Sequence, residues 1–352
     1  GANTSFVNRI VDESAPIEEI IPDPWALVAG LTTKPHPRIP LPDHIFGEER
    51  RNAAGPDLSD PNHLRDLKEQ MEQGPQSWDA GQGQRQQGHI VRSPSDHSDI
   101  VGTVCETRSE DVGHMIERGH KASFDWDRTP AHERAACLDR FADLIEANTP
   151  ELLALCVREA GKTLSDAIPE IREAVDFCRY YGARARAEFS EPLVMPGPTG
   201  ELNEISLHGR GVFACISPWN FPLAIFSGQV TAALAAGNAV IAKPAEQTPL
   251  IAARAVAMMH EAGVPEDVLQ LMPGDGPTVG KPLVDDPRIA GVAFTGSTET
   301  AHLIQQSLTN RKGPIVPLIA ETGGQNAMIV DSTALPEQVV VDAVFSAFRS
   351  AG

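Results

Sequence analysis

The run Ile216-Ser217-Pro218-Trp219-Asn220-Phe221-Pro222 follows a short apolar stretch and carries an asparagine at its centre. A carboxamide held at a strand end can donate N–H groups toward an oxygen that gains negative charge, which is what an oxyanion hole requires. Asn220 could equally do no more than shape the turn between Trp219 and Pro222. Lys243-Pro244-Ala245-Glu246-Gln247-Thr248-Pro249 comes after the apolar run Ala239-Val240-Ile241-Ala242. A lysine and a carboxylate so placed can share the hydroxyls of a ribose, and the carboxylate would repel a 2′-phosphate, favouring NAD over NADP; the plainer alternative is a surface ion pair. Phe294-Thr295-Gly296-Ser297-Thr298 joins a strand to a helix, where free N–H groups and the helix dipole suit a pyrophosphate unless they only cap the helix. Glu321 follows Val316-Pro317-Leu318-Ile319-Ala320 and precedes Gly323-Gly324, which let backbone approach a ligand closely. A partly desolvated carboxylate there, its pKa raised toward neutrality, can act as a general base, or it can be an ordinary strand-end side chain.

The elements that must position these groups alternate from Gly211 onward. Short apolar runs at 212–216, 239–242, 268–272, 289–294, 316–320 and 327–330 predict buried strands. Helical segments at about 223–236, 247–262, 276–284 and 298–308 separate several of them. That alternation predicts a mostly parallel sheet covered by helices, with ligands at the carboxyl ends of its strands. Upstream, Thr129-Pro130 and Thr149-Pro150 read as helix starts, Gly161 as a stop, and a third helix runs roughly from Ser165 to Tyr181. Residues 61–76 predict a short polar helix and 74–90, rich in Gln and Gly, a flexible linker. Pro35, Pro37, Pro40 and Pro42 forbid continuous helix in the first 60 residues.

A length of 352 residues with 41% hydrophobic and 22% charged side chains fits a globular protein of more than one domain. The net charge of −19 argues against a nucleic-acid partner. The five cysteines are irregularly spaced, with no C-x-x-C pair, so neither a disulfide framework nor a zinc site is expected, and a reducing cytoplasm suits them. Cys137, Cys156 and Cys178 are expected on helix faces and Cys215 in a buried strand. No apolar run reaches transmembrane length, no signal peptide opens the chain, and the absence of an initiator Met suggests a piece of something longer. Gly161-Lys162-Thr163 ends like a P-loop, but Cys156 stands where the first glycine belongs, so that motif is rejected. No G-x-G-x-x-G fingerprint occurs.

Taken together and in this order, the four clusters resemble the aldehyde dehydrogenase superfamily over roughly residues 100–352. The resemblance implies an α/β fold, a Rossmann-like parallel sheet of the cofactor domain with N-terminal helices. It implies NAD as cofactor and a small aldehyde as substrate. By position, Asn220 matches the oxyanion-hole asparagine and Glu321 the general base. Lys243 and Glu246 match the adenosine-ribose ligands, and Ser297 with Gly296 the pyrophosphate contact. Gly276, Gly280, Phe294 and Gly323 match the cofactor cleft, while Ile216, Ser217, Pro218 and Trp219 line the nicotinamide side. The family's nucleophilic cysteine is expected shortly after Gly352, and none of the cysteines present stands at that position.

The first ten residues, Gly1 to Ile10, and His36-Pro37-Arg38-Ile39-Pro40-Leu41-Pro42 resemble the end of a proline dehydrogenase barrel. Such a tail joined to an aldehyde dehydrogenase is similar to the bacterial bifunctional proline utilization A enzymes. That resemblance implies oxidation of L-glutamate γ-semialdehyde to glutamate, FAD only in a barrel that this chain lacks, and a homo-oligomeric full-length protein. It divides the chain into a barrel tail (1–60), a helix and linker (61–99) and the NAD-binding domain (100–352). Glu173 and Phe221 match the aldehyde site. The alternatives are an NAD-binding piece without turnover, or another aldehyde dehydrogenase subfamily.

Overall fold

A computed structural model describes residues 14, 16–32, 36, 38–81 and 88–350; the segment Gly1 to Ile10 lies outside them. The chain divides into two compact units, Gly1–Asn52 and Ala53–Gly352. Among the described residues of the first, helix occurs as the short pieces Ile17–Ile20 and Pro24–Gly30 and a 3₁₀ turn, Pro42–His44, while Pro35 and Pro37 lie outside the described residues. Asp23 accepts the Trp25 N–H and caps the second piece, with Pro24 in its first turn.

Among its described residues the second unit holds three sheets. Strands β1 (Trp78–Ala80), β2 (His89–Arg92) and β3 (Ile100–Val104) pair in the order β1-β3-β2. Strands β4 (Leu193–Met195) and β5 (Asn203–Ile205) form an antiparallel pair. The main sheet comprises β6 (Val212–Ile216), β7 (Ala239–Lys243), β8 (Leu269–Leu271), β9 (Ile289–Thr295) and β10 (Leu318–Glu321). All its pairings are parallel, in the order β10-β9-β6-β7-β8. The chain winds outward from β6 to β8, then returns to the other side of β6 for β9 and β10. That is the doubly wound order, with its reversal between β6 and β9.

The two innermost strands are buried along nearly their whole length, which explains why they read as unbroken apolar runs. The helix Ala224–Ala235 is apolar all round because it is enclosed: Phe226, Val230 and Leu234 are all buried within it. Gly228 lets the Leu164–Glu188 helix approach, since a Cβ there would lie 2.9 Å from the Phe177 ring. Arg179 of that helix is buried and donates to both carboxylate oxygens of Glu146 on Ala131–Ala147. Cys137, Cys156, Cys178 and Cys215 are buried on the helices and strand expected for them.

Several expectations change. Residues 327–330 are exposed and form no strand among the described residues, so an apolar run alone misled. The stretch expected as a linker contains β1: Trp78 is buried, its Nε1 donates to Glu151 at 2.9 Å, and its backbone pairs with β3. The third helix runs on to Glu188. Pro130 itself precedes the Ala131–Ala147 helix without a side-chain cap, and Thr149 is already inside the next one. The 276–284 segment is a π-turn, Gly276–Gly280, followed by the short helix Lys281–Asp285.

Candidate active site

The carboxyl ends of β7, β6, β9 and β10 come level at one edge of the main sheet. Ile216 is the register partner of both Lys243 and Phe294, and Glu321 is the partner of Thr295. The Gly296 N–H donates to the Glu321 carbonyl at 3.1 Å, and the Ser217 N–H to the Lys243 carbonyl at 3.2 Å. With strands about 4.8 Å apart, this row brings the four sequence clusters within roughly 15 Å of one another. They open onto one crevice of ≈ 1940 Å³ at the reversal point of the sheet, lined by Asn220, Lys243, Glu246, Ser297 and Glu321 together.

Lys243 is buried while Glu246, three residues on, is half exposed, and their charged atoms lie 3.6 Å apart. The Lys243 Nζ also donates to the Pro244 carbonyl at 3.1 Å. Burial pushes the Lys243 pKa down, against the pull of Glu246 and Asp275. A buried ammonium with one exposed carboxylate partner keeps donor capacity for a ligand hydroxyl, and Glu246 keeps acceptor capacity. Ser297 caps the Thr298–Asn310 helix by accepting the Thr300 N–H at 3.1 Å, and both Ser297 and Thr300 line the crevice, so this helix starts at its wall. Gly276 has nothing within 4 Å of where a Cβ would stand, and a Cβ on Gly280 would only touch the Lys243 stem at an ordinary 3.6 Å. Helix start, ammonium, carboxylate and open glycines fit a dinucleotide laid across the strand ends.

On the other flank, Ile216, Ser217, Pro218, Trp219 and Phe221 line the crevice beside Asn220, and Trp219 is 46% exposed. Gly296 is glycine because a Cβ would strike the buried Phe294 ring at 2.6 Å. Gly323 lines the crevice beyond Glu321. Two expectations shift. Glu321 is exposed instead of partly desolvated, because residues 319–330 carry no covering layer. Glu173 is also exposed and does not line the crevice. It sits on the Leu164–Glu188 helix, whose contribution to the crevice comes instead from Phe177 and Tyr181.

Those two stacked rings, 5.9 Å apart, were not singled out from sequence, although their i, i+4 spacing on an expected helix was a usable signal. Gln229 was also missed. It lines the crevice from the Ala224–Ala235 helix and donates to Thr295 Oγ1 at 3.0 Å. No cysteine lines the crevice among the described residues: four are buried, and burial pushes the Cys156, Cys178 and Cys215 thiols up. No group of acidic, His and Cys side chains suited to a metal ion occurs among the described residues, and none of their helices is long and apolar enough to cross a membrane.

A family model described as "Aldehyde dehydrogenase family" matches residues 78–352. The "Bifunctional protein PutA" of Klebsiella aerogenes is 48% identical over 370 residues, covering 100% of this chain and 27% of that protein. A solved structure of proline utilization A with proline bound in remote sites superimposes with a TM-score of 0.84 at 47% identity, covering 100% of this chain and 33% of its own. A 1-pyrroline-5-carboxylate dehydrogenase from Thermus with bound NAD gives a TM-score of 0.79 at 33% identity, covering 85% of this chain and 60% of that one. The chain thus spans about a quarter of the length of the curated bifunctional relatives it matches.

Proposed function

Because the chain belongs to the aldehyde dehydrogenase family, we propose that it is the nucleotide-binding part of an NAD-dependent enzyme that oxidises L-glutamate γ-semialdehyde, the open form of 1-pyrroline-5-carboxylate, to glutamate in proline breakdown. The observation that carries this reading is the single crevice shared by Asn220, Glu321, the Lys243–Glu246 pair and the Thr298–Asn310 helix start. The choice of substrate is supported by relatives named as bifunctional PutA and 1-pyrroline-5-carboxylate dehydrogenase proteins. Residues 1–60 are assigned to the end of a proline dehydrogenase domain, where FAD would belong, and 61–99 to the connection. The full-length protein is taken to be a cytoplasmic homo-oligomer.

In this reading Lys243 and Glu246 hold the adenosine ribose, Ser297 and Gly296 the pyrophosphate, and residues 216–219 the nicotinamide side. Gly276, Gly280, Phe294 and Gly323 shape the rest of the cleft. NAD, when bound, supplies a hydride acceptor. No cysteine among the described residues lines the crevice, and in this reading the attacking thiolate is assigned to a part of the parent protein outside this sequence. It adds to the aldehyde carbon, and the carbonyl oxygen takes up the electron pair while the Asn220 carboxamide donates to it. Hydride loss gives a thioester. Glu321 then takes a proton from water, whose oxygen displaces the thiolate and leaves the carboxylate product. Phe221 forms a wall of the aldehyde site.

Titrating NAD into the chain while following the fluorescence of Trp219 should give saturable binding, with NADP about tenfold weaker because Glu246 repels its extra phosphate. A chain lengthened past Gly352 should form NADH from the semialdehyde. No NAD binding, or binding without any turnover by the lengthened chain, would remove the reading.

A further inference from the structure

Glu159, Lys162 and Glu170 belong to no motif used above, yet all are buried, and each reaches across the fold to a loop of the crevice. Glu159 lies just after the Thr149–Arg158 helix. Its Oε1 accepts the Leu250 N–H at 2.7 Å and its Oε2 the Ile251 N–H at 2.9 Å. These are first-turn donors of the Pro249–Glu261 helix, whose own N-cap residue, Thr248, makes no side-chain cap bond. The loop that enters this helix is Lys243 to Thr248, which carries the ribose-side pair. Glu170 does the same for the other loop. Its Oε1 accepts both the Leu223 and the Ala224 N–H at 2.8 Å, at the start of the Ala224–Ala235 helix, which also lacks a side-chain cap of its own. The loop that enters there carries Trp219, Asn220 and Phe221.

Lys162 completes the second anchor. Gly161, at φ +68°, turns the chain so that the Lys162 side chain points inward. Its Nζ lies 3.3 Å from Glu170 Oε2 and 4.5 Å from the centre of the Phe221 ring. The ammonium therefore compensates the buried carboxylate and rests on the residue next to Asn220. The Gly-Lys-Thr sequence that failed as a P-loop is explained by this turn.

We propose that residues 159–170 form a positioning strut with two independent ends: Glu159 sets the loop that grips the adenosine ribose, and Glu170 with Lys162 sets the loop that presents Asn220 and the nicotinamide wall. The three are positioning residues, since none lines the crevice. The assignment of the two loops to the two halves of NAD rests on the function proposed above; the mechanical claim does not.

The test compares Glu159→Gln and Glu170→Gln with the unaltered chain, using NAD and ADP-ribose as ligands. Glu159→Gln should weaken both ligands about equally, near tenfold, because both use the ribose loop. Glu170→Gln should weaken NAD by about tenfold and leave ADP-ribose within roughly twofold. In parallel, ¹⁹F NMR of the chain labelled with fluorotryptophan, its resonances assigned through Trp219→Phe, should show the Trp219 signal shifted or broadened by Glu170→Gln and unchanged by Glu159→Gln. If Glu170→Gln does not fold, Lys162→Met, which keeps both N–H caps, carries the same expectation. Equal losses for both ligands in both variants, in step with melting temperature, would overturn the proposal. So would an unmoved Trp219 signal. Failure of the unaltered chain to bind either ligand would instead sink the proposed function, while the Trp219 comparison still decides the strut.

Discussion

Asn220, in the loop after β6, and Glu321, at the end of β10, line one cavity, and in the proposed reaction that shared cavity would let them act on one carbon in succession. Their roles separate in kinetics. Asn220→Ala removes a donor used only when the oxyanion forms, so in a turnover-competent, lengthened chain kcat should fall about 10²–10³-fold with NAD affinity unchanged. An equal loss in NAD binding, measured by titration, would mean that the side chain only shapes its turn. Gly296→Ala tests the pyrophosphate side. The new methyl would sit 2.6 Å from the tip of the buried Phe294 ring, so the ring has to shift to accept it. A cost of about 1–3 kcal/mol is expected, read as a lower melting temperature, together with weaker NAD binding. Asn220, Lys243, Ser297 and Glu321 were legible in the sequence because each follows or ends a short apolar run that announces a strand, whereas the helix-borne Phe177, Tyr181 and Gln229 were missed. Glu159 and Glu170 were not legible, because their partners lie 91 and 53 residues away and no local pattern marks a carboxylate that caps someone else's helix.

At the scale of elements, the same separation explains which parts of the fold could be read. β6, β7, β9 and their crossover helices follow from apolar runs and from Gly and Pro at their ends. β1 escaped because three residues within a Gln- and Gly-rich stretch become a strand only through the pairing of Trp78 with Gly102 and the burial of the Trp78 ring. The run at 327–330 failed in the opposite direction, having strand composition but no neighbouring strand. The helix Pro249–Glu261 depends on a group outside itself, and this gives it a pH signature. Burial raises the Glu159 carboxyl from 4.5 to about 8, against the two N–H bonds that favour its charge. The folded chain therefore holds a proton that the unfolded chain releases, and this term makes stability fall as pH rises between those two values. Its slope is at most about 1.4 kcal/mol per pH unit, and it vanishes below the lower value and above the upper one. Glu159→Gln removes the titrating group while keeping one acceptor. Denaturant melts across that window should show a flatter profile than the parent and, at pH 6, a loss of about 1–3 kcal/mol for the N–H left unpaired. Parallel profiles would show that the carboxyl does not hold its proton in the fold.

The whole molecule sets two surface forces against each other. Its net charge of −19 keeps copies apart. Yet the helix Pro336–Phe348 has no buried residue, and Val340, Val341, Val344, Phe345 and Phe348 are each more than half exposed. Ile315 and Ile329 are 94% and 93% exposed. Side chains at i, i+1, i+4, i+5 and i+8 make one continuous stripe on a helix, the kind of patch that isolated surface leucines do not create. Repulsion between like-charged copies is screened over about 10 Å at 0.1 M salt, whereas attraction between apolar stripes is not weakened by salt. Self-association should therefore grow with ionic strength. Sedimentation velocity at low and high salt should show the average sedimentation coefficient rising with salt for the parent chain. Val341→Glu with Phe345→Glu, which places two charges in the stripe while leaving the crevice residues alone, should suppress that rise and reduce binding of a hydrophobic dye. Salt-independent monomers of the parent chain would mean that the stripe is folded away against the chain itself.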